Sequence, residues 1–358
     1  MGHGSFGGVP GVGLIGVLPW VPASYHGAMV KRVALVLGSG GARGYAHIGA
    51  IDVLKERGYE IVGIAGTSMG AVIGGLEAAG KLEEYTDWVT ALGPRDVLRL
   101  MDASPFGAGA IKLERVLGRM TEILAGARIE ELPIPYTAIA TDLGARREVW
   151  FTSGPVDVAI RASVAIPGAI TPIMVNGRLL VDGAVLNPVP VDAVAGVEAD
   201  FTLAVSLSGW TPRDFNATPA KASSDASPPA EWLEHFRRSA AGIFENEWVA
   251  SVLARFGAKP EDRSEPVPAF ADPPAGLGIS EVANLAIDTM GSLITRYRLA
   301  AQPPDVLVTV PGNSAKALEF HRAIELIELG RALTAEALDA AFGPIDAPAE
   351  LTGGPSEE

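Results

Sequence analysis

Gly66-Thr67-Ser68-Met69-Gly70 matches G-x-S-x-G, a spacing that suits a nucleophilic serine. Glycines on either side permit a sharp turn from strand to helix and leave the hydroxyl open to a substrate. An apolar run, Ile61 to Ala65, precedes this turn and a helical pattern follows it, so the free amides and positive end of that helix would face Ser68. The alternative role for Ser68 is a helix cap.

Acyl transfer also needs donors for a developing oxyanion and a base for the serine proton. The glycine-rich turn Gly38-Ser39-Gly40-Gly41-Ala42-Arg43-Gly44 follows a second apolar run, Val33 to Leu37, and can supply backbone amides with Arg43 nearby. Two nucleotide readings of this turn fail. Counted from Gly38, a G-x-G-x-x-G fingerprint would need glycine where Arg43 stands, and no Gly-Lys-Ser/Thr follows for a P-loop. The chain has five histidines, and none offers itself as the base. His47 lies one turn into the first helix and reads as structural; His321 reads as a solvated or capping residue. Asp182, directly after an apolar strand and before Gly183, is the stronger candidate, with a plain turn residue as its alternative role.

The elements that must position these groups are readable in outline. Helical patterns run over Tyr45–Arg57, from Met69 past Leu76, over Lys81–Leu92, Ile111–Leu124 and Val156–Ala165, and over Ala315–Leu329, where Gly330 reads as a stop. Gly74 and Gly75 inside the helix after Ser68 imply close approach of another backbone. Strands are expected at Tyr136–Ala140, with Arg147–Thr152 beside it, and at Phe201–Leu207 and Asp305–Val310. Asn176-Gly177 joins Ile173–Val175 to Leu179–Val181 as a hairpin that delivers Asp182-Gly183-Ala184. Alternating strands and helices point to an α/β protein whose mostly parallel sheet is covered on both faces.

Over 358 residues, 48% of them hydrophobic, the chain can bury a sizeable core. Its formal charge of −14 argues against a nucleic-acid partner. Cysteine is absent, so there is no disulfide, thiolate metal site or cysteine nucleophile, which fits a reducing, cytoplasmic compartment. No apolar run reaches the roughly 20 residues that span a bilayer. Residues 1–30 read as a flexible glycine-rich arm, 31–342 as the domain and 343–358 as a disordered tail. Polar, proline-rich sequence at about 208–278 reads as an insertion. Within it, 231–256 carries Trp232, Phe236, Ile243, Phe244 and Trp248 along one helical face. That segment is either a surface helix packed on the domain or a lid making peripheral membrane contact.

Taken in order, Gly40-Gly41-Ala42-Arg43-Gly44, Gly66-Thr67-Ser68-Met69-Gly70 and Asp182-Gly183-Ala184 resemble the motifs of the patatin-like phospholipase family, in the flavour of its bacterial, neuropathy-target-esterase-like branch. The likeness covers about 32–207 and 305–331, and includes Ala162-Ser163-Val164-Ala165-Ile166-Pro167-Gly168. It implies a three-layer α/β/α fold and a Ser–Asp dyad without histidine. Ser68 would be nucleophile, Asp182 proton acceptor, and amides around Gly40, Gly41 and Ala42 the oxyanion hole, in a loop completed by Arg43 and Gly44. The expected activity is hydrolysis of lipid esters without metal or cofactor. A transacylase or thioesterase using the same dyad, or a lipid-binding regulator that does not turn over, are the alternatives. Here Gly38-Ser39 stands where the plant-type loop begins D-G, and D-G-A replaces D-G-G.

Overall fold

Val33–Leu37 of β1 (Arg32–Leu37) are all buried, and alternate residues enter different clusters. Val33, Leu35 and Leu37 join the main core, whereas Ala34 and Val36 pack with Ala65, Val189, Val194 and Ala204 on the opposite face. A strand that is apolar on both faces belongs at the centre of a covered sheet. This computed structural model describes residues 30–100, 109–111, 114–209 and 279–344.

Helix α1 (Ala46–Glu56) returns the chain to β2 (Glu60–Thr67), which leads into α2 (Met69–Ala78). After α3 (Leu82–Thr90) and α4 (Pro94–Leu100) come the short β3 (Gly109–Ile111) and α5 (Glu114–Leu124). The middle of the chain supplies β4 (Tyr136–Asp142), β5 (Arg147–Phe151), α6 (Val156–Ser163) and β6 (Gly168–Ile170). Next are β7 (Ile173–Val175), β8 (Arg178–Asp182) and β9 (Phe201–Gly209). From there α7 (Ile279–Ala301), β10 (Val306–Pro311) and α8 (Ala323–Phe342) complete the described chain. The sheet order is β10-β9-β1-β2-β4-β8-β7, with β5 also paired to β4. Pairings from β10 to β4 are parallel, and those of β4 with β5 and β8 and of β7 with β8 are antiparallel.

One handover on β4 positions the site. Its first residues pair with β2, ending at Thr67 opposite Ile139. Its last residues pair with β8, where Asp182 stands opposite Ala140. Thr67 and Asp182 are therefore registered against consecutive residues of one strand. The β7–β8 hairpin turns at Asn176 and Gly177, both with positive φ, as the Asn-Gly pair requires.

The structure corrects several boundaries. Ile111 does not begin a helix; it ends β3, which pairs with β6 in a separate two-stranded sheet. Ser208 and Gly209 belong to β9 rather than to an insertion. The last helix begins at Ala323, after a 3-10 turn over Phe320–Arg322, and does not stop at Gly330. Gly330 instead lies where α8 crosses α1: a Cβ there would stand 2.0 Å from the Ala46 carbonyl oxygen. Gly49 on α1 reciprocates, its own Cβ position being 2.0 Å from the Ile327 oxygen. Helix α7 has no counterpart in the sequence reading. The arm at 1–29, the amphipathic pattern at 231–256 and the tail from 345 lie outside the described residues.

This crossing sets a sign that can be measured. At an open helical position Gly→Ala stabilises by about 1 kcal/mol, whereas overpacking costs about 1–3 kcal/mol. Gly330→Ala should therefore lower Tm, by about 2–4 °C per kcal/mol lost, in a thermal melt; a rise in Tm would mean that the helices do not meet there.

Candidate active site

Ser68 sits between β2 and α2 with φ 57° and ψ −121°, a strained backbone for a residue with a side chain. Its neighbours make the turn sterically feasible. A Cβ on Gly66 would lie 2.3 Å from the Gly70 oxygen, and one on Gly70 would lie 1.9 Å from the Leu37 oxygen. The two glycines of the pentapeptide thus let the strand, the turn and β1 pack backbone to backbone. Ser68 is 4% exposed.

Asp182 is 2% exposed and lies within the influence of the Ser68 hydroxyl, which favours its ionised form. It also accepts the Ala184 amide at 2.8 Å. Burial pushes its carboxyl up to about 7, against the opposing pull of the Ser68 hydroxyl and the Ala184 amide. A carboxylate of that strength takes a proton far more readily at neutral pH than an ordinary aspartate. Gly183 is obligatory beside it, since a Cβ there would stand 2.4 Å from the Ile139 oxygen.

The end of α6 and the residues just beyond it link the two groups. Ser163 accepts the Ser68 amide on its hydroxyl at 2.8 Å and donates to the Ile139 carbonyl at 2.6 Å. Two residues on, the Ala165 carbonyl accepts the Asp182 amide at 2.9 Å. Ser163 is fully buried; the sequence places it near the end of the helical pattern Val156–Ala165 and in a segment of family likeness, without assigning it a role. The signal available was a lone serine in an otherwise small and apolar run.

The glycine-rich turn closes over the same place, and the structure divides its members by task. Gly38 donates to the Val205 carbonyl and Ser39 to that of Pro188. The Ala42 amide is taken at 2.9 Å by the Ala317 carbonyl, so it has no donor left for an oxyanion. Arg43 spends its guanidinium on the carbonyls of Gly40, at 3.3 Å, and Gly312. Burial lowers the Arg43 pKa, against an opposing pull from Asp288. Gly44 provides clearance, its Cβ position being 2.1 Å from Cγ of Met69. Among the described residues no acceptor takes the amides of Gly40 and Gly41, which remain free to donate. His47 is wholly buried with Nε2 at 2.8 Å from the Gly38 carbonyl, and burial lowers its pKa to about 4. It anchors the turn and does not serve as a base for Ser68. His321 lies in the exposed turn before α8.

A cavity of about 780 Å³, measured out to its open mouth, begins at Gly41 and Ser68. It runs between α3 and α5 and is walled by apolar groups including Val72, Trp88, Val116, Met120, Ile166 and Phe320. Such a lining suits a hydrophobic chain.

The family model of the patatin-like phospholipases matches residues 35–195, which include all three motifs. Uncharacterized NTE family proteins of Mycobacterium tuberculosis and Mycobacterium bovis are each 47% identical over 344 residues, covering 88% of this chain and 93% of theirs. The lysophospholipase NTE1 of Mycosarcoma maydis is 30% identical over 204 residues, covering 52% of this chain and 10% of its own. The chain belongs to the patatin-like phospholipase family, and its mixed, mostly parallel sheet with helices on both faces is the patatin fold.

Burial of Asp182 has a consequence for stability. Its folded pKa of about 7 lies above the unfolded value near 3.8, so the folded state binds the extra proton between those pH values. Stability is then lost as pH rises through that window, by a few kcal/mol for a shift of this size. Asp182→Asn, which keeps an acceptor for Ala184, should melt several degrees above wild type at pH 8. The gap should close by about pH 4. A gap that does not change with pH would contradict a buried, proton-retaining carboxyl.

Proposed function

We propose that this protein is a serine acyl hydrolase acting on lipid esters, with Ser68 as nucleophile and Asp182 as its proton acceptor. The observation that carries this reading is a strained, buried Ser68 whose hydroxyl acts on a buried carboxyl raised to about 7, with no cation among the causes of that shift.

The acyl chain occupies the apolar cavity, which places the ester carbonyl at Ser68. Ser68 Oγ attacks the carbonyl carbon as its proton passes to Asp182. The negative charge gathers on the carbonyl oxygen, where the free amides of Gly40 and Gly41 stabilise it. Collapse expels the alcohol, which takes the proton from Asp182 and leaves acyl-Ser68. Water then attacks this ester, gives its proton to Asp182 and releases the acid, with the proton returning to Ser68. One carboxyl thus serves both halves of the cycle, acting alternately as base and acid.

Two measurements follow. On a lysophospholipid, Ser68→Ala and Asp182→Asn should each lower kcat/KM by at least about 1,000-fold, the level at which only binding and oxyanion contacts remain. Retained turnover in Ser68→Ala would remove Ser68 from the chemistry. For the wild type, kcat/KM should rise with pH on an acid limb centred near 7, because Asp182 must be ionised to accept the proton. A profile flat from pH 5 to 8 would remove Asp182 as the base.

A further inference from the structure

Helix α7 lies far from the three motifs in sequence and contributes nothing to the cavity wall, yet its inward side carries a charge aimed at the site. Arg298 donates from Nε to the Leu186 carbonyl at 2.9 Å, from Nη1 to Asp192 Oδ2 at 3.2 Å, and from Nη2 to Glu148 Oε1. The other oxygen of each carboxylate accepts the same amide: Asn187 Nδ2 donates to Glu148 Oε2 at 3.0 Å and to Asp192 Oδ1 at 2.9 Å. Guanidinium, two carboxylates and one amide therefore close a ring. Asn187 is wholly buried and, among the described residues, its Oδ1 has no partner, so its Nδ2 donors orient the side chain.

Asn187 also touches both arms of the catalytic pair through its backbone. Its carbonyl accepts the Thr67 hydroxyl at 2.8 Å, one residue before Ser68. Its amide donates to the Gly183 carbonyl at 2.8 Å, one residue after Asp182. A shift of Asn187 would move the two ends from which Ser68 and Asp182 project. Without Arg298, Glu148 and Asp192 would face each other across one amide as uncompensated like charges in a half-buried place, which is costly.

We propose that Arg298 is a positioning residue for the Ser68–Asp182 pair, acting through the Glu148–Asn187–Asp192 ring; this rests on the catalytic reading given above. It touches no reacting atom. Its loss should spoil the alignment of nucleophile and base while leaving the acyl cavity intact. The effect should then fall on kcat and not on KM.

The test compares wild type, Arg298→Met and Arg298→Met/Glu148→Gln as folded, full-length chains. Each is assayed on p-nitrophenyl butyrate and for the rate of fluorophosphonate labelling at Ser68. Arg298→Met should lose about 10- to 100-fold in kcat and in labelling rate, the scale of a displacement near 1 Å. Its KM should stay within about threefold of wild type. Adding Glu148→Gln removes one of the two facing charges while keeping an acceptor for Asn187, so it should restore at least about fivefold of that loss through coupling between neighbours. If Arg298→Met does not fold, Arg298→Lys takes its place. A single ammonium cannot span two carboxylates and a carbonyl as the planar fork does, so that variant should show a smaller loss of the same kind. Wild-type kcat and labelling in whichever variant folds would overturn the proposal, as would a loss that Glu148→Gln does not relieve. Failure of the wild type itself to label at Ser68 would instead overturn the catalytic reading on which it rests.

Discussion

A carboxyl buried with no cation beside it among the described residues is the constraint on which this structure turns. Asp182 is held by a serine hydroxyl and one backbone amide, and neither compensates fully for the water it has lost. The fold keeps it there because β8 is fixed on β4 by pairing and its amide is fixed on Ala165. Stability lost at this one residue maintains a carboxyl that exchanges its proton near neutral pH.

Placement of the pair depends on close backbone approach more than on side-chain packing. Gly66, Gly70 and Gly183 each stand where a Cβ would meet another main chain at under 2.5 Å. Removing side chains at these points lets β1, the turn at Ser68 and the turn after Asp182 share one small volume. Around that volume several polar groups have definite partners. Ser163 holds the Ser68 amide, Thr67 holds Asn187, and Arg43 and His47 grip the glycine-rich turn from its two ends. Among the described residues, the amides left without an acceptor in this turn include those of Gly40 and Gly41, the donors of the proposed mechanism.

Much of this was legible in the sequence because the chemistry resides in short, local patterns. A serine flanked by glycines between a strand and a helix, and an aspartate at a hairpin's end, announce themselves without tertiary information. The Asn-Gly turn likewise specified the hairpin that carries Asp182. What sequence did not yield depends on contacts between distant segments. Ala42 looked equivalent to Gly40 and Gly41 as an amide donor until the Ala317 carbonyl was seen to occupy it. Gly330 looked like a helix stop because glycine commonly ends helices, yet a crossing with α1 requires it mid-helix. Helix α7 escaped notice because its inward face carries polar and small residues such as Gly291, Thr295 and Arg298, while Ile287, Met290, Leu293 and Tyr297 are exposed. Hydrophobic periodicity alone would have turned that helix the wrong way round.

The central claim is that an acyl group passes through Ser68 with Asp182 taking the proton. Acid-quenched enzyme, sampled during turnover of a long-chain p-nitrophenyl ester and digested, allows the acyl group to be located by peptide mass spectrometry. The expected result is an acyl adduct on the peptide containing Ser68, with Asp182→Asn accumulating it far more slowly than wild type. Turnover with no adduct at Ser68, or an adduct that forms equally fast in Asp182→Asn, would contradict it.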